Sequence, residues 1–86
     1  MTKLEKKLIE LGFTQGLVFS NMWWKHYNEI INFELLLTSE NKKICHWEIE
    51  RGVEAKRNIN GFQQELNNLK KDLEILKGCE ETNDFY

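Results

Sequence analysis

The stretch "MWWKHYNEIINFELLLT", Met22 to Thr38, decides the reading of this chain. From Ile31 onward it alternates: Ile31, Phe33, Leu35 and Leu37 share one side of an extended chain, and Ile30, Asn32, Glu34 and Leu36 share the other. The odd-numbered set is the expected core face. Upstream, Asn28-Glu29 is the plausible break between two strands. A two-residue turn there would pair Tyr27 with Ile30, Lys25 with Asn32, Trp23 with Glu34 and Trp24 with Phe33. Met22, Trp24 and His26 would then face inward. The opposite parity would bring Lys25 inside along with Trp23, and a buried, unpaired ammonium is costly. The expectation is therefore Trp24 in the core and Trp23 on the open face.

The same patterning places the other elements. "TSENKK" is polar and puts Asn41 where a three-residue loop, Ser39 to Asn41, needs a left-handed residue. A third strand, Lys43 to Glu50, should follow with Cys45, Trp47 and Ile49 inward. Phe33 then lies opposite Trp47 and Glu34 opposite His46, which gives an inner row of Trp24, Phe33 and Trp47. Upstream, Leu17 to Tyr27 is rich in aromatic and branched residues and reads as the first strand. Thr2-Lys3-Leu4-Glu5 has capping-box spacing, so a short helix should run over residues 3–11, with Leu4, Leu8 and Leu11 on one side, Gly12 as a left-handed stop and Phe13 folding back. Beyond Asn58 or Asn60, the residues Ile59, Phe62, Leu66, Leu69, Leu73 and Leu76 recur at gaps of three and four, the stripe of an amphipathic helix ending at Gly78. The predicted architecture is α+β, order α-β-β-β-α: a three-stranded antiparallel sheet with two helices on one face. Residues 1–78 form a single compact domain, and 79–86 a short acidic flexible tail.

With 86 residues, 41% hydrophobic and 30% charged, the chain suits one soluble domain whose core must be built from large side chains. A net charge of -2 provides no global attraction to nucleic acid or anionic lipid. No apolar run approaches the roughly 20 residues of a membrane span, and "MTKLEKKLIEL" carries charges where a signal peptide is apolar, so a cytoplasmic location is expected. Cys45 and Cys79 are too few for a disulfide framework or a metal knuckle; no metal and no cofactor are expected. No phosphate loop, nucleophile elbow or paired-histidine zinc helix is present, and His26 and His46 fall on opposite sides of the expected sheet. The chain is therefore expected not to be an enzyme.

The expected open face holds Trp23, Tyr27, Ile30, Leu36, Ile44 and His46 interleaved with Lys25, Glu34 and Glu48, an aromatic and charged mixture typical of protein contact surfaces. These residues are the candidate partner-binding set. The leading expectation is a non-enzymatic protein-binding module, a monomer or weak homodimer. Ten Lys to two Arg, one Ala and no Pro match an AT-rich genome. That bias suggests a small phage or mobile-element protein that inhibits host machinery, for example an anti-CRISPR-type or other anti-defence inhibitor. The element order is similar to that of double-stranded-RNA-binding domains. That resemblance implies duplex binding through the first hairpin loop and lysines opening the last helix. Here only Lys56 and Arg57 precede that helix, and "NINGFQQ" opens it without a lysine. Small ribonuclease toxins of related topology carry a histidine after Gly-Ser in an early strand; "WWKHY" has His26 without the Gly-Ser. A duplex binder and a ribonuclease using His26 are the alternative readings.

Overall fold

A computed structural model describes residues 1–81. Helix α1 (Lys3–Glu10) leads into strand β1 (Thr14–Gln15), followed by β2 (Met22–Tyr27), β3 (Ile31–Leu37), β4 (Ile44–Arg51), a 3-10 turn (Val53–Lys56) and helix α2 (Ile59–Gly78). The strands form one antiparallel sheet in the order β1-β2-β3-β4. The sheet thus has four strands, not the expected three. The extra strand is two residues long, too short for a period-2 pattern to register.

Both helix starts form as their caps dictate. The Thr2 hydroxyl oxygen accepts from the Glu5 N–H, and the Glu5 carboxylate accepts from the Thr2 N–H, closing the capping box. At the other end Gly12 is left-handed (φ 89°), with Gly12 N–H donating to Ile9 and Phe13 N–H donating to Leu8. Asn58 caps α2 through the Gly61 N–H. Leu4 and Leu8 of α1, Leu69 and Leu76 of α2, and the odd residues of β3 belong to one buried cluster, so both helices cover the same sheet face. Ile59, expected in the stripe, is exposed. Twenty residues of helix span about 30 Å, more than the seven-residue β3 at about 24 Å, so the first turn overhangs.

The decisive departure is in the first hairpin. Asn28 and Glu29 are both left-handed (φ 51° and 59°), and Ile30 N–H donates to Tyr27, as a two-residue turn requires. The ladder, however, resumes one residue later, pairing Tyr27 with Ile31, Lys25 with Phe33 and Trp23 with Leu35. Ile30 is the extra residue. It is buried, and its carbonyl accepts from Gly52 N–H at 2.7 Å. One inserted residue reverses every side chain of β2. Trp23 is thus 2% exposed and in the core, while Trp24 lies on the outer face. Lys25 does point inward, but not unpaired: its ammonium lies 2.9 Å from the Asp72 carboxylate of α2.

A second inserted residue acts on β4. Leu36 pairs with His46 but Leu37 with Ile44, so Cys45 is looped out and exposed, and Ile44 turns toward the core. The loop is one residue longer than Ser39–Asn41, since Thr38 N–H reaches the Lys43 carbonyl, and with the bulge this pairs Phe33 with Ile49 and Leu35 with Trp47, two residues from the expected register. A slip of two preserves the face, so Trp47 and Ile49 do lie on the helix side. The expected row of Trp24, Phe33 and Trp47 does not form. Trp47 touches Phe33 edge-to-face at 5.9 Å yet is 42% exposed, because β4 is an edge strand. The polar loop behaves as expected at Asn41, which is left-handed (φ 57°). Cys79, expected in the loose tail, is buried. Glu80 and Glu81 bond to Ile44 N–H and the Lys42 carbonyl, and residues 82–86 of that tail lie outside the described residues.

Candidate contact surface on the open sheet face

With the register established, the uncovered face is built from Met22, Trp24 and His26 of β2, Asn32, Glu34 and Leu36 of β3, and His46, Glu48 and Glu50 of β4. Trp24 and His26 lean on each other, their ring centroids 4.8 Å apart. His46 Nε2 lies 3.1 Å from Glu48 Oε1. Met22, Glu34, Leu36, His46 and Glu48 line a small cavity of about 100 Å³ on this face. Glu34 and Glu48 are direct cross-strand partners, and Asn32 sits opposite Glu50. Like charges directly opposite each other weaken a sheet, and here the pair is exposed with His46 beside Glu48. The strand residues of this face include three carboxylates and no Lys or Arg.

Leu17, Val18 and Phe19 lie in the loop that leads into Met22. Gly16 N–H donates to the Met22 carbonyl and Met22 N–H to the Phe19 carbonyl, which anchors the loop to the start of β2. The three apolar side chains are 103%, 83% and 62% exposed. Segment 13–19 therefore does not cover the open face. Phe13 goes to the opposite side, edge-to-face with Phe33, Thr14–Gln15 pairs with β2, and the loop stands in solvent. The β-propensity of Leu17–Phe19 predicts strand here, but Gly16 and Ser20-Asn21 flank the segment as break signals, and they prevail.

Of the residues expected on this surface, Glu34, Leu36, His46 and Glu48 are there. Trp23, Lys25, Tyr27, Ile30 and Ile44 are not: each follows one of the two inserted residues to the core side or into the turn. Parity missed Met22, Trp24 and His26, the complement of the residues it placed outside on β2.

Lys25 and Tyr27 instead form a polar cluster beneath α2. Asp72 Oδ2 accepts from Tyr27 OH at 2.6 Å and from Lys25 Nζ at 2.9 Å, and the ammonium sits 4.7 Å from the Tyr27 ring centroid. The cluster borders an open cavity of about 400 Å³ reaching Glu65, Asn68 and Lys71. Burial, reinforced by the Asp72 hydrogen bond and charge, pushes the Tyr27 phenol well above its ordinary value of 10.0. A phenol held protonated in this way is a donor that locks α2 to β2, not a base or nucleophile. His26 and His46 both stand on the outer face, contrary to the expectation of opposite sides, and they are carried by the non-adjacent strands β2 and β4. Among the described residues, no group of three His, Cys, Asp or Glu is placed to hold a metal, and no helix is long and apolar enough to cross a membrane. No family model, curated protein or solved structure matches the chain.

Proposed function

We propose that the chain is a non-enzymatic protein-binding module whose contact surface is the outer sheet face, extended by the Leu17–Phe19 loop. The observation that supports this reading most is the Glu34–Glu48 pair beside the half-buried Trp24 and the exposed His26 and Leu36. It combines apolar anchors with an acidic field that costs the free protein stability and gains a partner only on binding. The complementary partner is a protein surface carrying Lys or Arg around an apolar centre. The same carboxylates repel a phosphate backbone, which ranks a duplex nucleic acid below a protein as ligand. The AT-rich residue bias keeps inhibition of host machinery by a phage or mobile-element protein as the concrete form of the proposal.

The test compares the wild type with Trp24→Ala/Phe19→Ala and with Glu34→Lys/Glu48→Lys as baits for stoichiometric partners in host lysate, with Lys70→Ala as a control on α2. A partner held by the wild type and the control but lost by both outer-face variants supports the reading. A partner that ignores them, or salt-dependent binding of duplex RNA by the wild type, overturns it.

A further inference from the structure

Strand β4 is eight residues long and ends the sheet, whereas the opposite edge is closed by only two residues of β1. Backbone groups of alternate residues point to alternate neighbours. Gly52 N–H reaches the β3-side carbonyl of Ile30, so the even-numbered residues His46, Glu48 and Glu50 point at β3. The N–H and C=O groups of Trp47, Ile49 and Arg51 therefore point out of the sheet. The start of the strand is occupied: Glu80 accepts from Ile44 N–H at 2.7 Å and Glu81 N–H donates to Lys42 at 3.0 Å. From Cys45 onward no strand neighbours this edge among the described residues. Beyond the Cys45 bulge, His46–Arg51 carries neither Lys nor Pro. On the helix side the edge is apolar. Trp47 is 42% exposed and Ile49 is half-buried, and Arg51 lies 5.0 Å over the Phe62 ring, so the half-buried flank of Phe62, Leu66 and Leu73 faces the same edge.

We infer that this edge pairs with β4 of a second copy of the chain, antiparallel about a two-fold axis at Trp47, joining two sheets into one. Around its axis that register is self-complementary, and it ends where Glu80 holds Ile44 N–H. Trp47 meets Trp47 of the second copy on the helix side, and Ile49 runs past the looped-out Cys45. On the outer side His46 meets Glu48 in both directions. Centring the axis on Glu48 would set that carboxylate against itself, and centring it on Ile49 would set Glu48 against Glu50; both are disfavoured by like charge. Pairing uses His46 and Glu48 at the margin of the outer face and leaves Met22, Trp24, Glu34 and Leu36 of each copy open.

Sedimentation equilibrium over a concentration series is the test. The wild type should show twice the chain mass at high concentration, and amide exchange at Trp47 and Ile49 should slow as the dimer fills. Glu48→Lys places Lys opposite His46 and should raise the dissociation constant at least ~10-fold, about 1.4 kcal/mol. The exchanged pair His46→Glu/Glu48→Lys restores opposite charges across the axis and should recover dimerisation, which a folding defect would not do. A wild type that remains monomeric up to a concentration on the order of 1 mM overturns the inference. So does a dimer indifferent to both variants.

Discussion

Asp72→Ala tests the arrangement that reversed the tryptophans. In the folded chain one carboxylate oxygen of Asp72 takes both the Tyr27 hydroxyl and the Lys25 ammonium. Tyr27 is 4% exposed, so without Asp72 its hydroxyl is buried with no acceptor, at a cost of about 1–3 kcal/mol. The Lys25 side chain is 25% exposed and borders an open cavity, so its ammonium can turn to water and its share is about 0.5–1 kcal/mol. Alanine returns about 0.5 kcal/mol through better helix propensity at this position of α2. The net expected loss is about 1–3.5 kcal/mol, from a total of about 5–15 kcal/mol for a domain, so the variant stays folded and measurable. With a urea dependence of about 1 kcal/mol/M, the denaturation midpoint should fall by roughly 1–3 M. Asp72→Asn, which keeps an acceptor for Tyr27, should lose less. Combining Asp72→Ala with Tyr27→Phe should show a coupling of about 1 kcal/mol, because each substitution removes the same bond. An Asp72→Ala midpoint equivalent to less than ~0.5 kcal/mol, with no coupling to Tyr27, would mean that β2 does not present Lys25 and Tyr27 to α2.

Tyr27 should also shape alkaline stability. Its phenol stays protonated in the folded chain above the pH where the unfolded chain ionises it, so its contribution is complete below about pH 10 and declines above, by up to about 1.4 kcal/mol per pH unit. Urea midpoints from about pH 8 to about pH 11 should therefore converge between wild type and Tyr27→Phe, and parallel curves would refute the shift. Leu69→Ala removes a side chain that is 1% exposed at the centre of the α2 stripe and should cost about 2–5 kcal/mol; an unchanged midpoint would place the stripe outside the core. Gly52→Ala leaves an ordinary backbone conformation but drives Cβ into the Glu29 carbonyl oxygen, so thermal unfolding should report a loss of about 1–3 kcal/mol as the first hairpin is pushed off β4. A loss below ~0.5 kcal/mol would show that the turn and Gly52 are not in contact.

What could be read from the sequence was whatever depends on neighbours along the chain. The Thr2/Glu5 box and Gly12 bound α1, the Leu stripe runs through α2, Asn41 takes its left-handed turn position, and the odd residues of β3 are buried, because caps, turns and periodicity act over three or four residues. The strand β1 left no trace there, since two residues carry no periodicity.

Which face β2 presents, and which of Ile44 and Cys45 turns inward, was settled by tertiary structure. The local preference of Asn28-Glu29 for a two-residue turn was satisfied, yet Ile30 was inserted after it and held by Gly52, whose N–H arrives from the far end of β4. Burying Lys25 is costly only where nothing pairs with its ammonium. Asp72, 47 residues away, does so, and no pattern within β2 announces that contact. Cys45 and Ile44 exchanged places through the same device, one residue looped out of the ladder. Alternation has a period of two, so a single insertion inverts a whole strand. The free energy that selects between the two parities lies in long-range partners, and they meet only once the chain has folded.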